Sequence, residues 1–212
     1  MPPPILCIMK ELAGCNVEDL RDVRVPFPQT RIPTNGFEGC HALLRVDIAD
    51  SVTQLGNFAF RDCSSLRAVT IEGVTQISIG AFRGCSSLTA LTIPRSVTRI
   101  GHAAFRGCSS FASLVIPATV MSIGNDAFAD CSSLRSLAIP DAVTGIGEGI
   151  FDGCSSLTNL KIPRGVTTFG KRACIGCSSL TRLAIPSSVT EIGEAAFARF
   201  CELQLFEESE HP

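Results

Sequence analysis

Apolar residues return along this chain with a period of about 23, too long for one helix or strand and repeated too often to be local chance. Leu43, Leu66, Leu88, Phe111, Leu134, Leu157 and Leu180 form one column. Three residues later stand Val46, Val69, Leu91, Leu114, Leu137, Leu160 and Leu183, and two further Ile48, Ile71, Ile93, Ile116, Ile139, Ile162 and Ile185. The pattern Leu-x-x-Leu-x-Ile is a short strand with one apolar face, which no single copy could bury alone. A second pair of columns runs Val52, Val74, Val97, Val120, Val143, Val166, Val189 and Leu55, Ile77, Ile100, Ile123, Ile146, Phe169, Ile192. Its Ser-Val-Thr-x-Ile-Gly segments predict a second short strand on the opposite side, ended by glycine. Pro94, Pro117, Pro140, Pro163 and Pro186 turn the chain between the two sides. Ala104-Phe105, Ala127-Phe128 and Ala196-Phe197 then supply an aromatic plug in a one-turn helix or tight bend. The expected fold is a β-rich solenoid: a right-handed coil with parallel short strands on two sides and little helix.

The cysteines fix the register. Cys40, Cys63, Cys85, Cys108, Cys131, Cys154 and Cys177 are each 23 apart except for the 22 between Cys63 and Cys85. Ile71-Glu72-Gly73-Val74 is one residue shorter than Ile93-Pro94-Arg95-Ser96-Val97, so the deletion falls in a turn. Backwards, Leu20, Val23, Val25, Ile32 and Phe37 keep the pattern; forwards, Phe200, Leu203 and Phe206 keep it in degenerate form, with Glu208 in an isoleucine position. These limits predict a leading cap over 1–16, eight repeats over 17–199, and a degenerate closing cap and tail over 200–212.

The unit Leu-x-x-Leu-x-Ile-Pro-x-x-Val-Thr-x-Ile-Gly-x-x-Ala-Phe-x-x-Cys, legible over about residues 17–206, resembles the BspA-type leucine-rich repeat. That resemblance implies a leucine-rich-repeat solenoid and a role in protein binding or cell-surface adhesion. The repeat carries no chemistry of its own.

Composition narrows the function by exclusion. With 45% apolar residues the chain can bury a continuous core, and its net charge of −2 gives no general attraction to nucleic acid. Trp and Tyr are absent, so any interface hot spot must rest on Arg or on exposed aliphatic side chains. Met1-Pro-Pro-Pro-Ile5-Leu6-Cys7-Ile8-Met9-Lys10 lacks a basic n-region and a long apolar core, and no stretch approaches a membrane span. The expected location is the cytoplasm if Met1 is the natural start, and the cell surface if the chain is a fragment.

The residues that could carry chemistry are placed by the repeat instead. One line of inward cysteines cannot converge on a tetrahedral metal, and a buried free thiol behaves as a small hydrophobe. Cys174-Ile175-Gly176-Cys177 looks like a redox motif, but Cys174 stands where other repeats have Phe, and the substitution predicts a seventh repeat short of core volume. His41, His102 and His211 lie in unrelated positions. The Ser/Thr-x-Thr line of the second strand reads as a strand-pairing preference. No enzyme, cofactor or metal is expected.

A protein partner is expected on the outward face of the first strand. Its outward positions hold Arg21, Arg24, Arg45, Arg67, Arg135, Lys161 and Arg182 against Asp22 and Asp47, a net charge of +5 that leaves −7 for the rest of the chain. Such polarity favours an acidic or polar partner. The expected function is a non-catalytic protein-binding scaffold; the alternative is a structural subunit or cell-surface adhesion module of a larger assembly. A second basic line, Arg61, Arg83 and Arg106, follows the Phe in three consecutive repeats.

Overall fold

The computed structural model describes residues 21–25 and 27–198, with the backbone of 204–207. The leading cap and most of the closing cap lie outside these residues. The chain winds into a solenoid of short parallel strands, with no helix among the described residues. On the first side Asp22–Val25 pairs with Arg45–Ile48, which pairs with Ala68–Ile71 and then Ala90–Leu91. Ser136–Ala138 pairs with Asn159–Lys161, and Arg182–Ile185 with Gln204–Glu207. On the second side two-residue strands stack in the same sense: Arg31–Ile32 on Gln54–Leu55, Gln76–Ile77 on Arg99–Ile100 and Ser122–Ile123, and Gly145–Ile146 on Thr168–Phe169 and Glu191–Ile192.

The Ala-Phe segments form bends, not helical turns, because their N–H groups are used between coils. Gly80, Phe82 and Gly84 donate to the carbonyls of His102, Ala104 and Arg106 in the next coil. Ala81, Arg83 and Cys85, in between, donate back three residues to Ser78, Gly80 and Phe82. No N–H is left for the i to i−4 bonds a helix needs. This alternation puts two residues per bend in the left-handed region, Gly80 and Gly84 at φ 57° and 74° in this coil. Glycine fits there without strain. Ala103, Arg172 and Ala195 occupy the equivalent of Gly80 in later coils at φ 50°, 54° and 55°.

Inside the coil the columns become ladders. Phe37, Phe60, Phe82, Phe105, Phe128 and Phe151 stack with centroids 4.9 to 6.0 Å apart and planes within 10° of parallel. Beside them the column thiols from Cys63 to Cys177 donate to the carbonyl of the Phe one coil back, three residues before the preceding column cysteine: Cys63 to Phe37 at 2.9 Å, Cys108 to Phe82 at 3.1 Å, Cys177 to Phe151 at 3.2 Å. Cysteine suits this column because it is small and apolar yet keeps one weak donor. All eight described cysteines are free and buried. Burial pushes the thiols of Cys108 and Cys154 up, and that of Cys131 to about 12. At neutral pH they hold their protons and are poor nucleophiles.

The deletion does lie in the turn after Ile71. A Cβ on Gly73 would stand 1.9 Å from the carbonyl oxygen of Asp50, so the shortened loop is pulled flush against the preceding coil. Two expectations change. The seventh repeat carries a compensating ring: Phe169 replaces the usual isoleucine, is fully buried, and places its ring 5.3 Å from that of Phe197. The aromatic lost at Cys174 is returned five residues earlier. At the end of the array the register slips by one. Leu205 stands opposite Leu183 and Glu207 opposite Ile185, so the last step is another 22 and Phe206 leaves the column assigned to it.

Candidate binding face

All seven cationic residues expected on the first-strand face are exposed there. The ladder register, however, divides them. Asp22 stands opposite Arg45 and Arg24 opposite Asp47, so the first coils are close to neutral on this face. Asp47 also accepts a hydrogen bond from Thr70 at 3.1 Å. Further along there is no acidic residue at any outward position from Thr70 to Ala184, and the exposed Arg67, Arg135 and Lys161 make no ion pair among the described residues. The positive character of the face therefore belongs mainly to its later part.

That part also contains a break. Leu44 accepts the N–H groups of Arg67 and Ala68, and Arg67 accepts those of Thr89 and Ala90. The ladder then stops: no described backbone hydrogen bond joins Thr89–Ile93 to Phe111–Ile116. It resumes with Ala112 accepting from Arg135 and a lone bridge between Ser113 and Ser136. Phe111 is the departure from leucine in its column, and its ring sits edge-on to Phe105, 5.9 Å away at 72°. The wider side chain lies directly before the segment that leaves the ladder. Beside the break, across the coil that follows it and the next two, lies a shallow depression of about 380 Å³ lined by Ser113, Val115, Ser136, Ala138, Asn159 and Lys161. Val115 is 82% exposed, the most exposed large apolar side chain described. Reading the sequence did not find this feature; Phe111 in a leucine column and Val115 among Thr and Ala were the signs of it.

The second basic line is mostly spoken for. Arg61 meets Glu38 at 3.3 Å and Asp62 at 3.1 Å, and Arg106 meets Asp130 at 3.4 Å and Asp126 at 3.9 Å. Glu38 lies one coil before Arg61, and Asp126 and Asp130 one coil after Arg106, on the outer sides of the pair. Half-exposed pairs of this kind contribute about 0–1 kcal/mol each. The hydroxyl line of the second side is likewise internal: Ser96 donates to Val74, Ser188 to Val166 and Thr190 to Thr167, each to a carbonyl one coil back. His41 lies 3.4 Å from Ser64, and His102 3.9 Å from Asp126; among the described residues neither pair is joined by the third member of a Ser-His-Asp set.

Period, inward leucine and isoleucine columns and a strand on each side together define a leucine-rich-repeat solenoid. The chain belongs to the BspA type leucine rich repeat family, whose model matches residues 10–132 and 75–204 in six copies. No curated protein matches it. Among solved structures it is similar to a leucine-rich repeat protein of T. pallidum, at 33% identity and a TM-score of 0.72 over 76% of this chain and 78% of that one. It also resembles a leucine-rich repeat protein from Bacteroides ovatus at 26% identity and TM-score 0.68, covering 87% of this chain and 57% of that one. A leucine rich cell surface protein from Faecalibacterium prausnitzii matches at 30% identity and TM-score 0.64, over 91% of this chain and 48% of that one. The chain thus spans about half the length of the last two proteins.

Proposed function

We propose that this chain is a non-catalytic scaffold that binds a protein through the outward face of its first-strand sheet, with preference for an acidic or polar surface. The observation that carries the reading is the exposed cations Arg135 and Lys161, on adjacent coils, with no acid at the outward positions around them. The coils fix the backbone spacing of these cations, so only their own long side chains remain to be ordered when a partner of opposite charge meets them. Nucleic acid is a poorer fit, since the outward positions hold no aromatic ring on which a base could stack.

A surface role is the second reading, favoured by the cell surface protein among the similar structures. No described helix is long and apolar enough to cross a membrane. Nothing in the comparisons supports the expectation of a cytoplasmic protein, and a module within a longer surface protein presents the same face to its partner.

The test is a pull-down with wild type beside a variant carrying Arg45→Glu, Arg67→Glu, Arg135→Glu and Arg182→Glu. Partners bound by wild type should be lost by the variant and released by salt, because exposed charges are screened within about 10 Å at 0.1 M. Recovery of the same partners with the same salt dependence refutes the reading.

A further inference from the structure

The break in the first-strand sheet joins three features that ordinary coils of this array do not combine. Its backbone has left the ladder, so the segment 112–116 lacks a partner on the side of Ala90. The side chains of that segment, with those of the next two coils, line a depression. And it presents an almost fully exposed valine. Of the other exposed apolar residues, Ile79 lines a depression of about 530 Å³ with Arg99 and His102, but it stands on the second side and is only 40% exposed. Val115 shares its column with Ala138 and Lys161, one and two coils on, so the backbone positions of the valine and the lysine are about 10 Å apart along the solenoid axis.

We infer that this break anchors an extended acidic segment of the partner, a branched aliphatic side chain seated on Val115 and a carboxylate two to four residues along meeting Lys161. The inference rests on the first-strand reading above. A chain laid across the coils advances about 3.3 Å per residue, so side chains on one of its faces recur every 6 to 7 Å and the second or fourth residue reaches the lysine. Ala138 keeps the path between them low. Arg135, in the outermost column of the same face, meets a second carboxylate. The chemistry selects for charge and one apolar anchor together, and a purely acidic segment gains only the screened part.

Titration of the isotope-labelled protein with the acetylated peptide Ser-Gly-Leu-Ser-Glu-Ser-Glu-Gly, followed by amide shifts, tests it. Shifts are expected at Ser113 to Ile116, Ser136 and Lys161. Affinity should fall about tenfold when the peptide leucine becomes serine or the protein carries Val115→Ser, the factor for one aliphatic contact. It should vanish when both glutamates become lysine. Val115 is exposed, so Val115→Ser does not threaten the fold. If shifts on the first-strand face survive Val115→Ser and the leucine-free peptide unchanged, the anchor is wrong and the charged-face reading stands. If shifts fall elsewhere on the protein, or none appear up to the solubility limit, both are wrong.

Discussion

The pairing of Cys174 with Phe169 is open to a double-mutant cycle. Cys174 interrupts the Phe stack that ends at Phe151, while Phe169, in an isoleucine column, puts its ring 5.3 Å from Phe197, the next member of that stack. Both residues are buried, Cys174 completely. Space that a phenylalanine at 174 would fill is thus already approached by a ring from across the coil. Cys174→Phe alone should overpack the core and cost about 1–3 kcal/mol. Phe169→Ile alone should leave a hole and cost about 1–2 kcal/mol. Together they restore the arrangement of the earlier coils, so the double variant should return to within about 1 kcal/mol of wild type. The coupling would be about 2 kcal/mol, well above the scatter of independent sites. Urea denaturation reads it directly: at a slope of about 2 kcal/mol per molar, each single variant loses roughly 0.5–1.5 M in midpoint and the double recovers it. If Cys174→Phe by itself raises the midpoint at unchanged slope, the seventh repeat has a real void and the compensation is refuted.

Three further outcomes are expected. Ala195→Gly should stabilise the protein by about 1 kcal/mol, because Ala195 is exposed at φ 55° and gives up little packing, and an unaltered or lower midpoint would count against strain in the bend. Stability should fall above pH 9: below it folded and unfolded thiols are both protonated, but from 9.0 to about 12 the unfolded chain releases the proton that buried Cys131 retains. Each such thiol contributes a loss of about 1.4 kcal/mol per pH unit, and flat stability between pH 9 and 11 would contradict the burial argument. Phe111→Leu should close the break in the first-strand sheet, seen as slower hydrogen exchange at Ala112 to Val115, and unchanged exchange there would show that the ring does not hold the ladder open.

Most of the fold was legible in the chain because a solenoid converts sequence period directly into contact. Residues about 23 apart become neighbours one strand spacing away, so an apolar column in the sequence is a ladder in the core. The cysteine line, the two strand sides and the turn that absorbs the deletion at Gly73 all follow from counting. What counting cannot supply is how a given coil meets the next. The Ala-Phe bend is not a helix because its N–H groups bond to the following coil, a partner absent from any local window. Arg61 and Arg106 look free until Glu38, Asp126 and Asp130 come beside them, and Arg24 and Arg45 look cationic until the register sets Asp47 and Asp22 opposite. The exchange of volume between Cys174 and Phe169, the slip that puts Leu205 opposite Leu183, and the break beside Phe111 have the same origin. Each depends on how side chains from different columns share one interior, and a core packed near crystal density decides that only when the coils are stacked.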